Sequence, residues 1–580
     1  MTNNLITLLI FSPLAVALVL LFIPPTRPLI HRIGMVVATG LQLIIAITIY
    51  TQFDANKATS LTDDAYYNLQ LVERFDWISL NLGGLGHLSI DYFVAVDGIS
   101  LPLVVLASLI LLIAAISSWT IKRQVKGYAL LFLLLSSSVV GCFVALDFFL
   151  FYLFFEFMLL PMYFLIGIWG GERREYASIK FFLYTLAGSI FILIAMIGLY
   201  LSVIDPIATG KMAGLLGNHP STEEVTYVQD QLREGQIAGQ DLVRTFDMVA
   251  MTDIRNYLPN STLAAEGTRW GNVPLRWLAF WALLLGFVIK LPSVPLHTWL
   301  PDAHVEAPTA ISVVLAGLLL KIGGYGIFRT AYSMFPEAAL QFAWWVGFLG
   351  VISILFAAFN ALAMRDLKKM IAYSSVSHMG FVLLGLASLT SEGVSGSLYQ
   401  MFSHGLISPL LFLLAGVLYD RTHNRMIAHY GGLTQKMPYF TVLVIIGFFA
   451  SLGLPGFSGF IAEVLTLLGA FNSATVNELL PRWMAVFAAL GLILSAGYYL
   501  WTLQRMFFGK YYVREEGWNE KLVDLSWREY IMLVPLAVAT LVFGIAPSLF
   551  LDVVGESVRH WTAYMNEQGA QHLEQIMNQR

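Results

Sequence analysis

Runs of about twenty apolar residues, the length a helix needs to cross a bilayer, recur through this chain and decide what it can become. Fourteen occur, at 4–24, 30–50, 97–118, 128–146, 148–169, 181–203, 275–295, 310–330, 341–362, 371–389, 398–419, 440–468, 484–508 and 529–550. Lipid offers no partner to a backbone N–H or C=O, so only helices and closed barrels span it, and these runs are too long for barrel strands. The fold class is therefore all-α, a polytopic membrane protein of about 14 spans. Composition agrees: 58% of the 580 residues are hydrophobic, 12% are charged, and the mean hydropathy is +0.72. The first run has no basic segment before it, and its first charge, Arg27, lies beyond it. It is expected to stay as a helix rather than to be a signal peptide.

Basic residues in short loops set orientation. Arg27 and Arg32 follow span 1, Lys122, Arg123 and Lys126 follow span 3, and Arg173 and Arg174 follow span 5. Arg365, Lys368 and Lys369 follow span 9, Arg421 and Arg425 span 11, and Arg505 and Lys510 span 13. The stretch after span 7 is acidic and histidine-rich instead. This alternation places both termini outside the cytoplasm or its equivalent. The long segments 51–96 and 204–274 fall on that same side, where long loops cross largely regardless of charge. In the second, Ser221 and Glu224 are spaced as a capping box and predict a short surface helix. The net charge of −4, with scattered basic residues, argues against a nucleic-acid surface. The single cysteine, Cys142, leaves neither a disulfide nor a cysteine-rich metal or iron–sulfur site within the chain.

Spans 7 and 12 share an anomaly. "IKLPSVPLHTW" and "ASLGLPGFSGFIAE" each interrupt an apolar helix with Pro and Gly, and each carries one ionisable residue, Lys290 and Glu463. They stand five spans apart, and a repeat of five, being odd, inverts its second copy. Inverted repeats over spans 4–8 and 9–13 follow, and paired broken helices are the best sequence pointer to a transport site. The expected divisions are 1–127 with spans 1–3, 128–330 and 331–510 with the two repeats, and 511–580 with span 14 and a tail. That tail, with Trp561, Tyr564 and Met565 among polar residues, suits either an interfacial helix or a subunit contact.

Glu156, Lys290, Lys321 and Glu463 lie well inside apolar runs, and His378 and His404 add two titratable groups near the starts of spans 10 and 11. A charge at mid-membrane costs about 2.5 to 3.5 kcal/mol on insertion scales. A lysine near a helix end can snorkel to the headgroups, but Lys321 has apolar sequence before it and "IGGYGIF" after it. Glu156 suits a static ion-pair partner as well as a relay, and a lone histidine often only bonds a carbonyl. Proton relay is the chemistry that wants the whole set, because burial brings amines and carboxyls toward titration near neutral pH. A carboxylate about 7 Å from an ammonium, at an effective dielectric of about 20, favours the charged amine by about 2.4 kcal/mol. Moving it loads or unloads the amine. His297 and His304 suit either a proton intake or the closing of the span 7 helix.

"KLPSVPLHTWLPDAHVEAPTAISVVLAGLLLKIGGYG" and "FFEFMLLPMYFLIGIWGGERREYASIKFFLYTLAGS" resemble the signatures of the chain M, or subunit 4, family of proton-pumping NADH:quinone oxidoreductase, respiratory complex I. The resemblance covers roughly 90–510. It implies an antiporter-like module in which Glu156 pairs with Lys290, Lys321 is the central relay, and His378 and His404 extend it to Glu463, where sister subunits usually carry lysine. It implies an energy-transducing membrane, the bacterial inner (plasma) membrane, and no cofactor in this chain. NADH, FMN, iron–sulfur clusters and quinone belong to partner subunits, and the partners are other membrane-arm subunits, sister antiporter-like ones among them. The segment 204–274 is longer than the family's pattern. Multisubunit cation/proton antiporters and membrane-bound hydrogenases share the fold and the Glu–Lys pair, and "DAHVEAPT" and Glu463 favour complex I over them. A pure scaffold would leave the buried charges dispensable.

Overall fold

A computed structural model describes residues 4–55, 68–81, 83, 87–217, 220–264 and 267–578. The first spans are α1 (Leu5–Phe22) and α2 (Pro28–Gln52), followed by strands β1 (Gln70–Asn81) and β2 (His87–Val96), then α3 (Ser100–Ser117) and α4 (Val125–Val144). The fifth span is two end-to-end helices, α5 (Phe148–Phe157) and α6 (Leu159–Trp169), and the sixth is α7 (Arg174–Ser202). Short helices α8 (Pro206–Met212), α9 (Thr222–Arg233) and α10 (Met248–Thr252), with strand β3 (Val243–Thr245), fill the long loop. Both hydrogen bonds of the expected capping box form at the start of α9.

The seventh span is broken into α11 (Leu275–Lys290) and α12 (Trp299–Glu306). The eighth alternates α13 (Thr309–Val314) and α14 (Leu320–Gly326) with π-helical turns at Leu315–Leu319 and Ile327–Tyr332. Then come α15 (Pro336–Ala363), α16 (Leu367–Ser388), α17 (Ser391–Thr422), the broken twelfth span α18 (Pro438–Ser451) and α19 (Ser458–Val476), α20 (Arg482–Phe507), α21 (Trp527–Ile545) and α22 (Ser548–Asn578). Among the described residues thirteen helices are long and apolar enough to cross a membrane. The fourteenth expected span, 275–295, falls outside that number because its prolines stop α11 after 16 residues.

Burial sorts the spans. The most apolar stretches of Thr309–Tyr332 and Ser391–Thr422 are wholly enclosed by protein and that of Leu367–Ser388 nearly so, while α1, α2, α7, α19 and α20 leave large apolar side chains such as Val19, Ile44, Ile194 and Ile493 uncovered. Since lipid tails are as apolar as leucine, helices associate through close backbone contact at small residues. A Cβ at Gly286 of α11 would stand 2.7 Å from the Gly188 carbonyl of α7, and one at Gly396 of α17 would stand 2.4 Å from the Thr466 nitrogen of α19. The sixth and seventh spans thus meet as the eleventh and twelfth do, as five-helix repeats require.

The two breaks are built differently. In the seventh span, Pro292 and Pro295 stop the ladder; the Trp299 indole N–H donates to the Ile289 carbonyl at 2.8 Å and Val294 N–H donates to Ser353 Oγ at 3.0 Å. In the twelfth, Gly453 and Gly456 turn the chain through φ of +74° and +97°, which side chains rarely adopt.

The bundle has two distinct ends, joined by α3. At one, Ser117 borders a cavity with Arg173, Lys368, Lys369 and Arg425 on its walls; this is the basic end. At the other, β1 and β2 form an antiparallel hairpin with β3 added parallel to β2. Asp147, Asp205 and Asp247 cap α5, α8 and α10 there. Arg74 ties Asp91 and Asp247 at 2.7 Å and Asp205 at 3.4 Å. The tail helix α22 packs inward at this end: Trp561 donates to Ser333 Oγ at 2.9 Å and the Tyr564 hydroxyl to the Ser333 carbonyl at 3.0 Å.

Candidate functional site

Lys290 is the last residue of α11, where the proline break ends the helix, and its side chain is buried. Its ammonium lies over the Phe155 ring, 3.3 Å from the centroid, with the Phe155 carbonyl at 3.5 Å and Met158 Sδ at 3.4 Å. The expected Glu156–Lys290 partnership takes the form of electrostatic proximity: both residues lie in range of Cys142 and of each other, without an ion pair between them. Glu156 Oε1 is buried with no hydrogen-bond partner.

Lys321 lies in α14 between the two π-helical turns and is completely buried. Such turns loosen the backbone ladder, and the Ala316 carbonyl, five residues back, accepts from the Lys321 ammonium at 2.5 Å. The same nitrogen is 2.6 Å from His404 Nδ1 on α17, the closest contact among the six expected residues. Gly323, two residues on, lets the seventh span approach: a Cβ there would be 2.6 Å from the Leu291 nitrogen. The break beside Lys290 therefore abuts the turn that carries Lys321.

Beyond His404 the surroundings become polar. The His404 and His378 rings are 5.5 Å apart. His378 Nδ1 lies 3.5 Å from Glu463 Oε1 and 3.2 Å from Gln400 Nε2, and its Nε2 is 3.2 Å from Ser451 Oγ. Ser451 donates to Tyr499, which donates to Ser374. His378, Gln400, Ser403, His404 and Ser451 line a small cavity of about 10 Å³, about the room one water needs, with the polar partners to hold it. Glu463 closes the line at α19, and Gly453 makes way for it: a Cβ there would be 2.0 Å from Glu463 Oε2.

Four of the six expected residues, Lys321, His404, His378 and Glu463, are thus joined in one chain of contacts, and Lys290 and Glu156 stand to one side of it. His297 packs edge-on against Phe356 and Tyr373. His304 stacks on Phe412 with centroids 4.4 Å apart, and neither ring nitrogen has a partner. Sequence reading missed Gln400, Ser451 and Tyr499, since isolated polar residues in a spanning helix carry no cost that marks them. It also missed Arg329, which pairs with Asp97 deep inside the protein. Its position inside the run 310–330 was the signal. Among the described residues no three His, Cys, Asp or Glu side chains converge as a metal site would need.

The family model described as "NADH:quinone oxidoreductase/Mrp antiporter, TM" matches residues 145–205 and 243–489, which takes in all six. NADH-quinone oxidoreductase subunit M of Rhodobacter capsulatus is 39% identical over 96% of this chain and 96% of its own length. NADH-ubiquinone oxidoreductase chain 4 of Arabidopsis thaliana is 36% identical over 95% of each. Respiratory complex I from Thermus thermophilus with bound NADH contains a chain that superposes with a TM-score of 0.72 at 27% identity, over 97% of this chain and 99% of that one. The Mrp complex from a Dietzia species offers the same fold, with a TM-score of 0.73 at 19% identity over 98% and 100%. By identity and coverage together, the chain belongs to the family of NADH-quinone oxidoreductase subunit M and NADH-ubiquinone oxidoreductase chain 4.

Proposed function

We propose that this chain is a proton-translocating subunit in the membrane arm of an NADH:quinone oxidoreductase, beside sister antiporter-like subunits, with the redox carriers in partner subunits. The observation that carries the reading is the 2.6 Å contact between Lys321 and His404, both buried. A buried charge without a counter-ion is costly, and here an amine and an imidazole share a proton instead. The Lys321 ammonium gives its proton to His404 Nδ1, and the imidazole releases the proton on its other nitrogen. One water in the small cavity spans the 5.5 Å between the rings, and His378 passes the proton to the Glu463 carboxylate. Lys290 and Glu156 act as a neighbouring charge pair whose state biases Lys321. Energy from quinone reduction reaches the site through the arm, so this chain performs the transport step and not the redox step. The alternative of a stand-alone cation/proton antiporter rests on a likeness of fold alone, while the 36 to 39% identities are to complex I subunits.

The test is Lys321→Met in the assembled complex in sealed membrane vesicles, with NADH oxidation and acidification followed together. Pumping per NADH is expected to fall by about a hundredfold or more, in line with the loss of one positioned acid–base group. Full pumping by a normally assembled complex would remove the relay.

A further inference from the structure

The basic end holds a cavity of about 590 Å³ between the α6–α7 turn, the α12–α13 turn and the start of α16. Its walls are mostly polar. At its inner edge is Lys368, the second residue of α16, which borders the cavity yet is only 2% exposed. The loop pattern alone makes Lys368 an ordinary orienting cation beside Lys369. Its burial says otherwise.

Lys368 Nζ donates to the Ala307 carbonyl at 3.1 Å. The α12–α13 turn routes the Ile311 and Ser312 N–H groups to Pro308, and the Ala307 carbonyl's other donor is the Ser312 hydroxyl at 3.4 Å. The turn is held open from the cavity side: Arg425 donates to the Val305 carbonyl at 2.7 Å, Gly171 N–H to the Glu306 carbonyl at 2.8 Å, and Arg173 N–H to Glu306 Oε2 at 2.9 Å. Three residues before Ala307 is His304, fully buried, with both ring nitrogens unpartnered. Lys368 and Lys321 both act on it electrostatically. A buried imidazole without partners at either nitrogen demands an explanation, and a position between two lysines on the way from a polar cavity to a relay supplies one.

We infer that this cavity is the intake vestibule of the relay and that Lys368 is the group that takes a proton from it and passes it inward by way of His304. The inference rests on the proposed relay. The Lys368 amine accepts a proton from cavity water and donates it, through a bridging water or a swing of its stem, to one His304 nitrogen; the proton on the other nitrogen leaves toward Lys321. Charge and atoms balance, and no co-reactant is needed. Arg425, Asp366, Asp420 and Glu306 face Lys368. Arg425 is itself paired with Asp366 at 3.2 Å, and Arg173 Nε stands 3.8 Å from Glu306 Oε1, so Asp420 on the cavity wall is left to draw protons to the vestibule.

Three substitutions of Lys368 in the intact complex separate a proton carrier from a structural cation. Lys368→Met and Lys368→Arg are each expected to lower pumping per NADH by about tenfold, because arginine keeps the charge and cannot release the proton. Lys368→His is expected to retain a larger share than either. Full pumping in Lys368→Arg overturns the inference. Should that result accompany the loss in Lys321→Met, the relay stands and only its intake is reassigned; full pumping in Lys321→Met removes both. The vestibule is tested by His423→Cys at its exposed mouth, alkylated with a membrane-impermeant thiol reagent from the basic end; buried Cys142 is out of that reagent's reach. Pumping is expected to drop with alkylation, and unchanged pumping after complete alkylation overturns the assignment of the cavity.

Discussion

The two broken helices carry opposite chemistry on one architecture. In the first half an amine, Lys290, ends a helix stopped by prolines and lies against an aromatic ring and a thioether. In the second half a carboxylate, Glu463, follows a glycine turn and meets a histidine within a web of serine, glutamine and tyrosine. The first half surrounds its charge with apolar groups, a dry setting, and the second with polar groups able to hold water. A dry amine responds to distant charges, because little screens them; a hydrogen-bonded carboxylate responds to its contacts. The difference suits a first half that senses a neighbouring charge and a second half that conducts.

Glu463→Gln and Lys290→Met strain this comparison most. Glu463→Gln keeps the shape and removes the proton acceptor, so pumping is expected to fall about a hundredfold, the lower end of what one acid–base group contributes. Lys290→Met is expected to cost about tenfold, and Glu156→Gln about threefold, since a carboxylate that does not touch the amine acts only through the field between them. Proton uptake per NADH in vesicles reads all three. Equal losses in Lys290→Met and Glu156→Gln would mean a closed ion pair forms during turnover and the first half is not a remote sensor.

Much of this was legible in the sequence, for a physical reason. Charges inside apolar runs are expensive, so Lys290, Lys321 and Glu463 announced themselves, and prolines or glycines within a span announced both breaks. What stayed hidden depends on three dimensions. Nothing in the spacing of Lys321 and His404, which lie 83 residues apart, brings them to 2.6 Å. The π-helical turns around Lys321 have no sequence signature that helix propensity would register. The Glu156–Lys290 pair, implied by resemblance, lacks the direct contact that a pair suggests, because Phe155 and Met158 occupy the space around the ammonium. Lys368 was masked by a rule that works: basic loops do set orientation, and one of its lysines also turned inward.

Gly453→Ala gives a narrower test of the wet half. The new Cβ would fall on Glu463 Oε2, and the position requires φ of +74°. The carboxylate is the far end of a flexible side chain and moves aside, so the cost to folding stays near the 1 to 2 kcal/mol of a left-handed non-glycine residue, or about that. Glu463 then loses its 3.5 Å approach to His378. Pumping is expected to fall about fivefold with assembly intact, short of the Glu463→Gln effect because the acid survives. The equivalent glycine substitution at Gly456, where a Cβ meets nothing within 4 Å, isolates the backbone strain. If Gly456→Ala loses as much as Gly453→Ala, the turn matters and the carboxylate's placement does not.

The last expected effect is on folding rather than pumping, a pH dependence confined to the first half. Asp147 joins α4 to α5 at the hairpin end, accepting from Leu150 N–H at 2.9 Å and Asp91 N–H at 3.1 Å. Burial, with Asp247 and Asp91 close by, pushes its carboxyl up to about 7 from 3.8, and Asp247 is raised too, again by burial. Arg74 is the facing cation, shared with Asp91, Asp205 and Asp247. A carboxyl raised on folding holds a proton that the unfolded chain releases, so folding is favoured at low pH and that advantage drains away as pH rises through the interval from about 4 to about 7. Hydrogen exchange in β1, β2 and the first turn of α5, corrected for intrinsic rates, should therefore show protection lower at pH 8 than at pH 5 by up to about a hundredfold, since about two pH units of that interval lie above pH 5. Asp147→Asn should flatten most of that difference, while α19 and its Glu463 stay unaffected at either pH. A matching change in α19 would mean that the hairpin end is coupled to both halves, and the division between a sensing half and a conducting half would have to be redrawn.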